Sequence, residues 1–552
     1  MINLGDKNWG VKDSGLLAYK QVGSKYFNKD FDFTRASNGT YVDKNGVLQT
    51  AELYNLINYS QDLNSNTLSR GSVSNEDILS PFSNNEKSLF IPDTLNNFHY
   101  PRFSASTRSG FVHTISVFLK SDGSDAFNFV LVNISFGNSD GNAGVIFNIK
   151  DAEKVGFFTH DYDVQIDDFG NGWHRYSFQF TTSATSVSVD CNVLPSNSAT
   201  SYSGNGINGV YIYGAQLVEG TEPLDYQYTN GRVGIPRIDF SDGVGALLLE
   251  PQRSNLLLQS NSFDTTWGNV LASVTGGQEG IFGTNDALLL TLNNSTSARI
   301  QQSITTTIGQ EYTFSFYAKV DSGSVEIRAM AGGGYETKTI TSEWQRFQVN
   351  WVATATTGYG MIRNNEDIEK TIYIQHAQYE LGSYPTSIIE TTTSAVTRIA
   401  DVANNCGSEQ DFNSEEGVLY AEINTNTDAT DKALSINDGT SNNRIWVGYS
   451  TSIKRIYALG YSSGVLQFVL FKLLLDESQF IKVACKYKEN DFALWVDGVE
   501  VATDTSGLTP IALSNIHFDI GNNGGKFYGN AKQILYFPTA LTDEELADLT
   551  TI

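Results

Sequence analysis

A chain of 552 residues carrying 61 acidic and 36 basic side chains has a net charge of −25. It is too long for one core and is expected to divide into about three or four domains. The acidic balance excludes the basic footprint of non-specific nucleic-acid binding. With 32 Phe, 27 Tyr and 49 Gly among many Ser, Thr and Asn, the composition predicts an all-β protein.

Cys191, Cys406 and Cys485 are an odd, scattered set with no metal-ligand spacing, and read as small buried apolar residues. The opening MINLGDKNWG lacks a basic segment followed by an apolar one, so no secretion signal and synthesis in a cytoplasm are expected. The most apolar run, Val465–Leu475, is broken by Gln467 and Lys472 and is too short for membrane insertion.

In chain order, residues 1–50 hold short apolar pieces such as Leu16-Leu17-Ala18-Tyr19 and Tyr26-Phe27, too small for a core. They predict either an attachment or oligomerisation arm or a strand packed on the next domain. Thr40–Val42 followed by Asp-Lys-Asn-Gly reads as a strand entering a tight turn.

Residues 51–230 and 231–402 read as two copies of one β-sandwich. Phe111–Lys120 and Glu311–Lys319 both alternate with period two, as strands with one buried face do. Trp173-His174-Arg175 matches Trp344-Gln345-Arg346, and Asn55-Leu56-Ile57 echoes Asn255-Leu256-Leu257. The offset falls from 199 at Lys120/Lys319 to 171 at Trp173/Trp344, so the first copy holds 28 more residues, within Ser121–Asp168. Extra strands or a long loop are expected there. Regular short strands with turn residues between them suggest a jelly roll for each copy. Between the copies lies RVGIPRIDFSDGVGALLLEPQRSNLLLQSNSF, Arg232 to Phe263, with no nucleophile–base pair and no metal-ligand cluster; it reads as architecture.

Residues 403–552 predict a third sandwich. Phe492–Val501 is a hairpin with Asp497-Gly498 at its turn, and Thr542-Asp543-Glu544-Glu545 has capping-box spacing for a short closing helix.

Three Trp are candidate glycan contacts, because sugars stack apolar faces on exposed indoles: Trp267 in a turn, and Trp446 and Trp495 on strands of the last domain. Trp495 is out of phase with Phe492, Leu494 and Val496 and faces the other side of its sheet. Trp173 and Trp344, which begin matched strands, read as core. The acidic Asp161, Asp163 and Asp167, with Asp168, read first as a solvated loop and next as a calcium site. His113, His160 and His174 share no spacing with a nucleophile, so no enzyme is expected and no cofactor is required, although structural calcium is allowed.

FTRASNGTYVDKNG, the PRIDFSDGVGALLLEPQRSNLLLQSNSF seam and the AQLVEGTEPLDY and AQYELGSYPTS endings resemble tailed-bacteriophage virion fibre and spike proteins. That family pairs such a lead-in with a carbohydrate-binding-module-like sandwich, but here a whole module stands between lead-in and seam. Residues 415–552 resemble a laminin-G or concanavalin-A-like sandwich, on the FALWVDGVEV hairpin and LTDEELADL tail. The resemblance implies a homotrimeric virion-surface head or tail fibre, joined to capsid or tail proteins through its N-terminus. It would be made in the host bacterial cytoplasm and would meet host or environmental glycans. The alternatives are a purely structural decoration protein and a capsule depolymerase.

Overall fold

A computed structural model describes the chain apart from residues 1, 4–8, 10, 13–14, 17, 23–24, 29–30, 36, 52–54, 75–77, 83–84, 87, 108, 138–140, 200, 230–234, 264–265, 426–431, 451–453, 475, 477 and 552. It is an all-β protein whose α-helix, Asp543–Thr550, comes at the end. The chain forms two compact units, one of Leu53–Val233 and one of Met1–Glu52 with Gly234–Ile552. The first sandwich is thus an insertion between lead-in and seam.

In the inserted unit, two six-stranded sheets enclose a core that includes Phe103, Val117, Val130, Phe147 and Phe178. The second sandwich has two five-stranded sheets with the same strand order. The surplus of the first copy is two edge strands, Glu153–Phe158 on one sheet and Val164–Asp168 on the other.

The echoed Asn residues do the same job in each copy. Asn55 donates to Ala215 O and Gln227 O at 3.2 and 2.9 Å and accepts from Leu217 N. Asn255 donates to Ala377 O and Ile389 O at 3.0 and 2.8 Å and accepts from Tyr379 N. Each clasps the last long strand of its sandwich to the segment that follows, satisfying buried backbone groups that would otherwise be unpaired.

The seam departs from the expected boundary. Its strands Arg237–Asp239 and Ala246–Leu249 extend the sheet of the C-terminal sandwich, where Leu247–Leu249 pairs with Gly529–Ala531. The lead-in also differs from a free arm. Trp9, Leu16, Ala18, Phe31 and Phe33 are buried in the C-terminal core; Trp9 Nε1 donates to Ala531 O at 2.5 Å, and Phe31 packs on Phe518. These apolar pieces are too few for a core of their own and complete one made elsewhere. Asp497 and Gly498 take positive φ at the hairpin turn, and Thr542 and Glu545 close the capping box.

Residues of the lead-in, of the seam and of the segment after the second sandwich assemble into one buried ion cluster. Arg237 reaches Glu250 at 2.6 Å, Thr40 O at 3.1 Å and also Asp401, while Arg35 reaches Asp401 at 3.2 Å. Arg398 lies 3.6 Å from Glu250, and Ser387 donates to Glu250 through both N and Oγ. Lead-in, seam and the segment after the second sandwich are thereby joined at one point. Because Ala51 and Phe240 are both hydrogen-bonded to the lead-in, replacing 53–233 by a short Gly-Ser linker should leave the other unit folded. Its denaturation midpoint, measured by circular dichroism, is expected to be unchanged.

Candidate functional site

In the second sandwich, strands Gly268–Val270, Arg299–Thr305, Thr357–Asn364, Ser324–Ala331 and Gly334–Thr341 lie side by side in that order. Alternate residues, Ile300, Ile304, Ile362, Ile327, Ala329 and Ala331, face the core. The opposite phase therefore faces outward.

Register brings together there what the sequence keeps apart. Arg299 pairs with Arg363, and Arg363 with Arg328, so three guanidinium side chains stand in a row across adjacent strands. The next row is Gln301, Met361, Met330 and Tyr335, and Ser303 pairs with Tyr359 beyond it. Tyr335 is 56% exposed and Tyr359 38%. Arg328 lies over the Tyr335 ring, 4.6 Å from its centroid. Arg299 donates to Gln301 at 2.8 Å and to Ser297 O at 3.0 Å, and Arg363 donates to Thr296 O.

Among the described residues, none of the three arginines forms an ion pair. The nearby carboxylates are otherwise placed: Glu326 accepts from Asn365, and Asp367 from Thr296 N. Like charges directly opposite one another on paired strands are destabilising. Three together without ion pairs among the described residues give this face a strip of positive charge on a strongly acidic protein. With strands about 4.8 Å apart, the row spans roughly 10 Å. Guanidinium groups bind carboxylates and similar oxyanions in bidentate fashion, and the two tyrosines offer flat apolar surface beside them.

The first sandwich serves as an internal control. Counting back from the strand ends Ser106/Ser186 and Thr305/Thr357, the row positions fall on Tyr100, Asn192 and Leu131. Leu131 is covered there by an apolar cluster with Ile146, Leu194 and Tyr202, and Arg102 is neutralised by Asp190 at 2.7 and 2.8 Å. The sandwich forms without an arginine row, so the row is not a requirement of the fold.

The tryptophans proposed from sequence are placed differently. Trp267 is 5% exposed, within the core of the second sandwich, and its Nε1 donates to Gln259 O at 3.2 Å; the adjoining Asp264 and Thr265 lie outside the described residues. Trp495 does face away from Phe492 and Leu494, but the closing helix covers it through Leu546, leaving it 7% exposed. Trp446 lines a groove of about 430 Å³ with Arg455, Tyr457 and Val469, yet its ring packs on Tyr457 and is 6% exposed. None of the three offers a ring face for stacking. Trp173 is fully buried as expected, whereas Trp344 is only half-buried, with Lys319 over its ring. Trp267→Ala is therefore expected to cost about 3–5 kcal/mol of stability, read by denaturant unfolding, and to leave ligand affinity under native conditions unchanged.

Among the described residues, Asp161, Asp163 and Asp167 are not gathered into a ligand cluster. Asp161 and Asp163 precede the edge strand Val164–Asp168, and Asp167 lies within it. Asp161 is ion-paired with Lys154, and Asp167 accepts from Gln165. Among the described residues, three or more potential ligand groups meet at one place, Asp286, His376 and Glu390.

No family model matches the chain, and no curated protein does. Among solved structures it is similar to the CBM40 domain of a Ruminococcus gnavus IT-sialidase, at 17% identity and a TM-score of 0.23, over 27% of this chain and 93% of that one. The tandem CBM22 domains of Paenibacillus barcinonensis Xyn10C match at 12% identity and a TM-score of 0.21, over 59% of this chain and 98% of theirs. Domains LG4-5 of the mouse laminin α1 chain match at 11% identity and a TM-score of 0.18, over 50% of this chain and 94% of theirs. Likenesses this distant carry no functional conclusion; the β-sandwich assignment rests on the strands and sheets themselves.

Proposed function

We propose that the chain is a subunit of a tailed-bacteriophage virion fibre or spike, and that its second sandwich binds acidic glycans on the Arg299–Arg363–Arg328 face. The observation that carries the glycan reading is the row of three arginines that form no ion pair among the described residues, beside exposed Tyr335 and Tyr359. The guanidinium groups take the carboxylate or sulfate of an acidic sugar, Gln301 and Ser303 take hydroxyls, and a tyrosine ring carries the apolar face. Support for the fibre reading comes from the lead-in and seam motifs, whose Arg35, Arg237 and Glu250 are gathered with Asp401 into one buried cluster. The role is adhesion, without catalysis.

One shallow face of this kind binds weakly. A homotrimer on the virion surface would present three, and binding at one would raise the effective concentration of ligand at the others. A glycan array probed with the full chain tests the reading. Acidic oligosaccharides are expected to be retained and their neutral counterparts not; equal retention of both, or of neither, would sink it. Light scattering after size exclusion is expected to give three subunits.

A further inference from the structure

We propose that Asp286, His376 and Glu390 form a binding site for a divalent first-row transition ion of the zinc class. The three residues come from the segment just before strand Ala287–Leu292, from strand Lys370–Leu381 and from the segment that follows it, and their ligand atoms lie within 4.8 Å of one another.

The backbone at His376 is the first reason to look for a ligand there. His376 sits in a bulge of its strand, where the register shifts opposite Ser315 and Tyr317, with φ +48°. Left-handed backbone at a residue with a side chain is uncommon and collects at functional positions. The first sandwich has the same bulge, opposite Ser116 and Phe118, and fills it with Gly214 at φ +60°. Glycine is the unstrained residue for that conformation, and the second sandwich sets an imidazole there instead.

The side chain is the second and independent reason. His376 is 1% exposed, yet neither ring nitrogen has a hydrogen-bond partner. A buried polar atom without a partner is rare in a folded protein. Its Nδ1 lies 3.1 Å from Glu390 Oε1 without hydrogen-bond geometry. Two ligands each about 2.0–2.1 Å from a tetrahedral zinc are about 3.3 Å apart, so the spacing suits two atoms that share an ion.

Supporting contacts hold the carboxylate and the bulge. Thr284 donates to Asp286 at 2.5 Å, and Asn261 bridges Asp286, at 3.4 Å, to the backbone N of His376, at 3.0 Å. A Cβ at Gly280 would meet Asp286 Oδ1 at 2.5 Å, so glycine lets that loop close over the carboxylate. Ligand chemistry selects the ion class: imidazole suits zinc and its neighbours, whereas calcium takes six to eight oxygen ligands. Asp286 and Glu390 are exposed, so water can complete the coordination.

The test uses the full chain after chelation and dialysis, titrated with Zn²⁺ and with Ca²⁺ by calorimetry. His376→Gly installs the residue that the first sandwich uses at this bulge, so the variant is expected to fold. Zn²⁺ should bind the parent at one site that His376→Gly and Glu390→Gln weaken at least tenfold, and should raise the thermal midpoint of the parent but not of the variants. Undiminished Zn²⁺ binding by His376→Gly would overturn the proposal. So would Ca²⁺ displacing Zn²⁺ at equal concentration.

Discussion

Asp401→Asn should destabilise the unit built from residues 1–52 and 234–552 by about 3–5 kcal/mol, the usual cost of breaking a buried ion pair by removing one partner. Asp401 accepts from Arg35 at 3.2 Å, from Glu250 N at 2.8 Å and from Arg237, and both arginines are fully buried. Loss of the charge strands two guanidinium groups away from water. Denaturant unfolding should show the midpoint of that unit fall while that of residues 53–233 stays in place; loss of both together, or of neither, would contradict the assignment. Acid probes the same cluster. Burial alone would raise the Glu250 carboxyl, but Arg237, Arg398 and the Ser387 hydroxyl outweigh it and hold the group well below the usual carboxylate range. A carboxylate depressed on folding stabilises fully above its unfolded value, about 4.3, and the contribution is lost as pH falls below that. Stability of this unit is therefore expected to drop on acidification below about pH 4, and Glu250→Gln to flatten that limb.

Arg363→Ser should weaken binding of an acidic oligosaccharide by about 10- to 100-fold, on the scale of about 1.5–3 kcal/mol for a hydrogen bond to a charged group. Arg363 is the centre of the row, with Arg299 on one side and Arg328 on the other. Its removal also relieves like-charge repulsion between paired strands, so the unliganded variant should be at least as stable as the parent. That opposition of signs, weaker binding with unchanged or higher stability, separates a ligand contact from a structural arginine. Calorimetric titration and thermal unfolding of the same preparation read both.

Much of the fold was legible because period-two patterning acts locally. Glu311–Lys319 sends Tyr312, Phe314, Phe316 and Ala318 into the core as its period implies, but Thr313, Ser315 and Tyr317 are buried as well, so the strand is covered on both faces and not on one. The Asp497-Gly498 turn and the Thr542/Glu545 capping box depend on neighbouring residues alone. The 28-residue surplus was visible from landmark offsets, and it forms two edge strands. The lead-in was harder to read: Trp9, Phe31 and Phe33 find their core on strands more than 350 residues away in sequence. The site was the least legible part. Trp495 looked available because its phase is right, but what covers it is a helix some 50 residues later. The arginine row is invisible until pairing register is known, since Arg299, Arg328 and Arg363 are separated by dozens of residues and each looks like an ordinary outward-facing polar residue.

The most direct test of acidic-glycan recognition is the affinity of the full chain for one acidic oligosaccharide and for its carboxyl-reduced neutral form, each measured across a salt series. The acidic form is predicted to bind at least tenfold more tightly at low salt, with the gap closing as salt rises. Equal affinity for the two forms, independent of salt, would contradict the account.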